Sequence, residues 1–198
     1  MHSYWTKNNN GKSKRGYTLM EALVAIAIIM VAVASPITIA QKGLNSAVYS
    51  KNQLIASYLA QDAIEYVKNL RDQNILKGNV WYTGFAGICG KDATNNDCQI
   101  DTLKDYFTNP ANSATPAIFT FGTIGTVLKI DDNGFYGYYN PSGTATKFVR
   151  KIHMEGIAFS GALAPVDEVW MVVTVSWGDI NDPADKNKVE VRTSLYNY

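Results

Sequence analysis

One carboxylate stands where the sequence changes from charged to apolar. Glu21 directly precedes Ala22–Ala40, a segment that contains no charged residue. As a helix rising about 1.5 Å per residue, this segment crosses most of a hydrocarbon layer roughly 30 Å thick. A carboxylate beside such a segment is costly in lipid and tends to have a partner. Glu21 is therefore a candidate for an ion pair with a cation.

A second role for Glu21 follows from Thr18, three residues earlier. The pair has the spacing of a capping box, with the threonine at the N-cap and the glutamate at N3, just before an apolar run. This pattern predicts that a helix begins near Thr18. A capping role and an ion pair do not exclude each other.

The residues before the helix are basic and contain no acid. The bases of segment 1–16 are Lys7, Lys12, Lys14 and Arg15. A basic segment before an apolar one is also typical of a secretory signal, for which Ala32-Val33-Ala34 offers an A-x-A cleavage site. The position of Glu21 and the helical pattern that continues past Ala34 speak against that cut. A signal peptide and an uncut membrane anchor both stay open.

A known family has the same order of features at its N-terminus. The segment Lys14-Arg15-Gly16-Tyr17-Thr18-Leu19-Met20-Glu21-Ala22-Leu23-Val24-Ala25 resembles type IV prepilins and the pseudopilins of type II secretion, over residues 12 to 70 in all. The resemblance implies that a membrane aspartyl peptidase cuts after Gly16 and that Tyr17 is then N-methylated. It also implies that Glu21 pairs with the amino terminus of a neighbouring subunit. Tyr17 departs from the family, in which Phe or Met is commoner at the first mature position.

The resemblance implies a structural role rather than an enzymatic one. The chain would be a subunit of a type IV pilus or a type II secretion pseudopilus. Its partners would be the prepilin peptidase, other pilin or pseudopilin subunits and an inner-membrane assembly platform. It would lie in the cytoplasmic membrane before assembly and in an extracytoplasmic filament afterwards. A long mixed loop and a single cysteine pair favour a minor pilin over a bulk subunit.

The charge balance agrees with a protein outside the cytoplasm that is not a dedicated nucleic-acid binder. The formal net charge is +1, and removal of residues 1–16 leaves 14 basic against 17 acidic residues, a net of −3. Positive charge before the apolar segment places residues 1–16 in the cytoplasm and the rest outside, by the positive-inside rule.

The apolar segment predicts the first half of one long helix. Residues 17–40 form the transmembrane and assembly half, and Pro36 should kink it because proline removes one backbone hydrogen bond. Residues 41–77 continue with apolar side chains at helical spacing on one face. A separate helix after a break at Gly43 stays open.

The remainder, residues 78–198, predicts a globular domain and, with the helix, the α+β class. Gly78 suits the end of the helix, and residues 79–116 read as irregular, with a single helical turn considered for Leu103–Phe107. Six strands are predicted beyond that, near Ala117–Phe121, Thr126–Asp131, Phe135–Tyr139, Thr146–Glu155, Glu168–Trp177 and Lys188–Leu195. Their apolar faces should form an antiparallel sheet packed on the second half of the helix.

Two cysteines, Cys89 and Cys98, lie close together in the irregular region. A location outside the cytoplasm favours a disulfide between them. Two free thiols, or half of a metal site, stay open from the sequence alone.

An aromatic run next to basic residues suggests an alternative function. Phe135–Tyr139 with Lys147, Arg150 and Lys151 could stack bases or sugars, which would make the chain a membrane-anchored binding module such as a tip adhesin or a DNA-uptake component. A β-strand with aromatic side chains on its faces explains the same pattern without a ligand.

Other candidate sites have simpler explanations. The loop Gly178–Asp185 gathers oxygen ligands that calcium prefers, but it lacks the EF-hand order and reads as a solvated hairpin connection. His153 on an alternating strand reads as a surface or half-buried side chain, without a serine or a second histidine to act with. We predict no catalytic residue, no metal site and no cofactor.

Overall fold

The computed structural model describes residues 16, 18–85, 88–90, 97–110, 114, 116–123, 127–139, 142–155, 167–178 and 187–197. The helix α1 spans Leu19–Leu76. The strands are β1 Cys98–Ile100, β2 Ile118–Thr120, β3 Val127–Ile130, β4 Tyr136–Gly137, β5 Thr144–Glu155, β6 Glu168–Trp177 and β7 Asn187–Tyr196. A long helix followed by an antiparallel sheet is the predicted α+β class.

Contacts within the chain define a first unit that ends at Val48 and a second that begins at Tyr49. In the first unit every described residue of α1 is exposed, although the side chains are mostly apolar. The most apolar window of this helix has a mean hydropathy of 2.6 and no buried residue. By length and composition the helix can cross a membrane.

The helix continues through Pro36 and Gly43, so the break considered at Gly43 is absent. Its end has the bonds of a Schellman motif: the N–H of Gly78 donates to Ile75 O (3.0 Å) and that of Asn79 to Asn74 O (2.9 Å). Gly78 has φ +71°, a conformation that costs glycine little because it has no Cβ. The predicted helix end at Gly78 is therefore confirmed.

In the second unit, the sheet is organised around β5. Along one edge β5 pairs with β6, which in turn pairs with β7. Along its other edge β5 pairs with β3 near its start and with β1 near its end. Strands β2 and β4 extend β1 and β3, and all pairs of strands are antiparallel. β6 lies between two strands, as its apolar sequence predicts.

The second half of α1 shares one core with this sheet. Its buried apolar residues recur at helical spacing: Ala56, Leu59, Ala60, Ala63, Ile64, Val67 and Leu70. They belong to the same hydrophobic cluster as the inward side chains of the sheet, which include Ile152, Met171 and Val173. Burial of this shared apolar surface is what holds the helix on the sheet.

Two details of the predicted sheet were wrong. β1 was missed, because a three-residue strand inside a region rich in Gly, Asn and Asp carries almost no periodic signal. The strand predicted over Phe135–Tyr139 contains only Tyr136–Gly137. It ends there because the backbone N–H groups of Tyr138 and Tyr139 donate to a carboxylate, that of Asp101, instead of to a neighbouring strand.

The segment Leu103–Phe107, considered as one helical turn, contains two turns and a bend between β1 and β2 and no helix. The first of them is closed by the N–H of Lys104, which donates to Asp101 O at 3.1 Å. Beyond the predicted ranges, β5 begins two residues earlier, at Thr144.

Candidate functional site

The start of α1 has the geometry of a capped helix. The backbone N–H of Glu21 donates to Thr18 Oγ1 at 3.3 Å, and the N–H of Ala22 donates to Thr18 O at 3.1 Å. Thr18 is therefore the N-cap, because its side chain satisfies a backbone donor of the first turn. This half of the predicted capping box is present.

The backbone of Glu21 takes part in the cap of the helix, but its side-chain carboxylate does not. No described residue donates a hydrogen bond to this carboxylate or forms an ion pair with it, and Glu21 is exposed. It is the only acidic residue of the first turn, next to a helix whose side chains are apolar. The helix start leaves a negative charge available to a group outside the described part of the chain.

Of the two residues of the predicted cleavage site, the structure describes Gly16 and not Tyr17. Gly16 is exposed, and a Cβ added to it would meet no atom of the described residues within 4 Å. The fold itself therefore does not require glycine at this position. Tyr17 lies outside the described residues, so its methylation stays a prediction.

Downstream of Glu21, the exposed apolar side chains surround the helix rather than forming one stripe. They include Leu23, Ile26, Ile29, Val31, Val33 and Ile39. A helix that is apolar on every side is typical of one covered by lipid or by other helices. Pro36 lies within this part, where the Thr38 hydroxyl donates to Ala34 O at 3.1 Å. A kink at Pro36 stays a prediction.

Cys89 and Cys98 form a disulfide, as predicted, which excludes two free thiols. Both cysteines are buried. Cys98 pairs with Ile152 of β5, and the N–H of Met154 donates to Cys89 O at 2.9 Å. The disulfide therefore joins the segment before β1 to β1, and the backbone at both cysteines contacts the central strand β5.

The structure removes two residues, Tyr138 and Arg150, from the surface predicted for the aromatic run and the basic residues. Arg150 is completely buried, and its guanidinium donates to Leu59 O (3.0 Å), Asp62 Oδ2 (3.0 Å) and Ile100 O (2.6 Å). Tyr138 is buried as well, with its hydroxyl donating to Arg150 O at 3.2 Å. These two residues connect the helix and the sheet inside the protein, so they cannot stack on a base or a sugar.

A buried carboxylate that the sequence analysis missed lies in the same region. Asp101 accepts hydrogen bonds from the backbone N–H groups of Leu103 (3.1 Å), Tyr138 (2.9 Å) and Tyr139 (3.1 Å). These donors stabilise its negative charge without a directly bonded cation. The sequence did not mark this aspartate, because two of its three donors, Tyr138 and Tyr139, lie far along the chain.

Burial also shapes the chemistry of the tyrosines in this unit. Desolvation, the largest cause, raises the pKa of Tyr66 well above its ordinary value, and the carboxylates of Asp105 and Asp101 raise it further. The Tyr66 hydroxyl donates to Lys104 O at 2.9 Å. Burial likewise raises the pKa of Tyr138. Both hydroxyls are therefore held in the neutral form and serve as hydrogen-bond donors.

His153 is half-buried on the outer side of β5, within the predicted range of exposure. Its Nδ1 lies 2.8 Å from Asp97 Oδ1, while Lys151 Nζ lies 2.8 Å from the other oxygen of the same carboxylate. The imidazole is thus hydrogen-bonded to a carboxylate that also forms an ion pair with Lys151. Nothing in this arrangement resembles a nucleophile with its base.

The acidic loop considered for calcium, Gly178–Asp185, lies outside the described residues except for Gly178, which has φ +137°. Among the residues that are described, no group of three or more His, Cys, Asp or Glu side chains is arranged to hold a metal ion.

Comparison with known proteins bears on the N-terminal site alone. A model of the prokaryotic N-terminal methylation motif matches residues 11–35. The match includes the end of the basic segment from Gly11, with Gly16, Tyr17, Glu21 and the first part of the apolar helix. No curated protein and no solved structure matches the chain.

Proposed function

We propose that this chain, a precursor of the type IV pilin and pseudopilin type, is a structural subunit of an extracytoplasmic filament. The observation that carries the proposal is the position of the methylation motif: residues 11–35 end within an apolar helix that is exposed on every side. The role proposed is structural and not catalytic.

The first proposed step is processing. The prepilin peptidase cuts after Gly16, and the new amino group of Tyr17 is methylated. Removal of residues 1–16 takes away the bases that hold this end in the cytoplasm. What supports a cut at this place is that Gly16 is exposed and that none of the described residues lies where a side chain would be added.

The second proposed step is assembly through α1. The carboxylate of Glu21 lacks a partner among the described residues, and the mature amino terminus would lie a few residues before it. In a medium of low dielectric these opposite charges attract strongly, and each is costly when alone. A subunit whose Glu21 is matched by the amino group of its neighbour is thereby guided into register. Packing of the exposed apolar side chains holds the helices together.

The mature N-terminus tests the proposal directly. Mass spectrometry of the chain isolated from cells with a complete pilus or secretion apparatus should find methylated Tyr17. A terminus at Ser35 would mean a signal peptide, and a terminus at Met1 would mean an uncut anchor, and either would refute the proposal.

Two substitutions serve as matched controls. Gly16→Val adds a branched side chain where the peptidase would bind, and we expect it to leave the precursor uncut. Ala34→Val places the same new residue, valine, in the A-x-A site. We expect the mature N-terminus of this variant to stay at Tyr17. The reverse pattern would assign the cut to a signal peptidase.

A further inference from the structure

A groove of about 280 Å³ lies in the second unit, between α1 and the turn that leads into β4. Its main lining residues are Ile55, Tyr58, Asp62, Leu103, Phe135 and Tyr136. We call this site the aromatic groove. Two of its aromatic side chains are largely in solvent, Tyr58 with 62% and Phe135 with 58% of their surface exposed. Exposed aromatic side chains gathered around a groove are typical of an interaction site.

A carboxylate of the aromatic groove is held in place with one oxygen available. Asp62 Oδ2 accepts hydrogen bonds from Thr102 Oγ1 (2.6 Å) and from Arg150 Nη1 (3.0 Å). Within the described part of the chain, no donor reaches Asp62 Oδ1, and the side chain is 49% exposed. Because its position is fixed from inside the protein, this oxygen can accept a donor from outside with little loss of side-chain entropy.

The position of Phe135 is also fixed. The carboxylate of Asp131 accepts hydrogen bonds from the backbone N–H groups of Asn133 (2.9 Å) and Phe135 (2.8 Å). Gly134, between them, has φ +87°, which allows the tight turn. The aromatic ring therefore lies at the groove on a turn that is already ordered.

The charge of the aromatic groove is one-sided. Its described lining residues include a carboxylate, Asp62, and no basic side chain. Asp132 is exposed on the adjacent turn. The guanidinium of Arg150 is completely buried and donates to Asp62 Oδ2, so it offsets part of the charge of this carboxylate and leaves Oδ1 as the acceptor. Lys51 lies one helical turn before Ile55 and is not a lining residue.

We propose that the aromatic groove binds a lysine or arginine side chain of a neighbouring subunit in the filament. The long apolar stem of such a side chain lies against Tyr58 and Phe135, and its cationic head donates to Asp62 Oδ1. Rings beside a cation add an attraction of their own. The inference rests on the proposed function, because the neighbouring subunit exists only in a filament.

A matched pair of substitutions tests the sign of the partner's charge. Tyr58→Glu and Tyr58→Lys remove the same ring and place side chains of similar helix propensity at one exposed position. A cationic partner predicts that the glutamate variant enters filaments about two- to fivefold better than the lysine variant. Equal loss in both variants would mean that only apolar contact matters, and better entry of the lysine variant would mean an acidic partner. Either result would overturn the inference.

Photocrosslinking of the full chain in cells identifies the partner. Benzoylphenylalanine in place of Phe135 should form adducts with a filament subunit, within a peptide that contains a lysine or arginine at the contact. The control is the same probe in place of Tyr196, an exposed aromatic residue outside the groove. Adducts only with lipid or with a protein outside the filament, or no adducts from filaments that contain the probe, would overturn the inference.

These outcomes are separable from failure of the proposed function. If Tyr17 is the methylated terminus and filaments contain the chain, the proposed function stands whichever result the aromatic groove gives. A terminus at Ser35 or Met1 would remove the filament and the groove's partner together.

Discussion

The guanidinium of Arg150 donates to the carboxylate of Asp62 across 3.0 Å, which connects a strand and a helix 88 positions apart in the chain. Arg150 is completely buried, and its two other partners are backbone carbonyls, Leu59 O on the helix and Ile100 O on β1. One side chain thus connects α1 to two strands of the sheet. A cation in this position must be paired, since an isolated buried charge is costly.

Removal of Arg150 should therefore be strongly destabilising. We expect Arg150→Ala to lower the free energy of unfolding by about 3–5 kcal/mol, because it leaves a cavity and two carbonyl oxygens without their donor. Chemical denaturation of the mature chain in detergent measures this. The control is Lys151→Ala, one residue along the same strand. Lys151 forms a partly exposed ion pair, so its loss should cost less than about 1 kcal/mol. If both variants lost a similar amount of unfolding free energy, the burial of Arg150 would not be what makes it important for stability.

The disulfide should contribute to stability through the unfolded chain. Cys89 and Cys98 are separated by 9 positions, so the bond closes a short loop. Replacing both by alanine should lower the free energy of unfolding by about 2–3 kcal/mol. The control is wild-type protein unfolded in the presence of a reductant, which should approach the variant. If reductant leaves the wild type unchanged while the variant is destabilised, packing of the cysteines and not the bond is responsible.

Two glycines with positive φ should respond differently to the same substitution. Gly78 has φ +71° with open space where a Cβ would be, so Gly78→Ala should cost about 1–2 kcal/mol from backbone strain alone. Gly84 has φ +101°, and a Cβ there would lie 2.6 Å from the Tyr106 ring, so Gly84→Ala should cost more. Thermal unfolding of both variants compares them. An equal cost would show that the ring moves aside freely.

Capping and charge pairing at the helix start can be separated by substitution. Glu21→Gln keeps the shape of the side chain and removes its charge, and we expect it to be processed but to form no filaments. Thr18→Ala removes the N-cap, at a cost of about 0.5–2 kcal/mol to the helix, and should still assemble. Filament yield and the mature terminus of both variants are the readouts. Normal filaments from Glu21→Gln would refute the charge pairing.

High pH should destabilise the second unit through Tyr66. Its pKa is raised in the folded protein by burial, so above the ordinary tyrosine pKa of about 10 only the unfolded chain loses the proton readily. The stability that the neutral tyrosine contributes is therefore present below pH 10 and is lost as pH rises beyond it. Tyr66→Phe should make the fall in unfolding free energy above pH 10 shallower. An unchanged slope in that variant would assign the fall to other groups.

The sequence by itself determined the parts of this protein that depend on local order. A basic segment, Gly16, Glu21 and an apolar helix follow one another closely in the sequence. The motif that they form can therefore be recognised without knowledge of the rest of the fold. The end of α1 just before Gly78 and the alternation along β7 were also predictable, since each reflects neighbours a few residues away.

Only the tertiary structure decided the parts that depend on distant neighbours. Arg150 reads in sequence as a surface cation beside an aromatic run, but its strand position directs it into the core, where Asp62 and two carbonyls receive it. Asp101 carries no local signal, yet it ends β4 by taking the N–H groups of Tyr138 and Tyr139. The aromatic groove likewise combines a helix and a turn far apart in the chain. Burial and hydrogen-bond partners are properties of the assembled core, and no short stretch of sequence contains them.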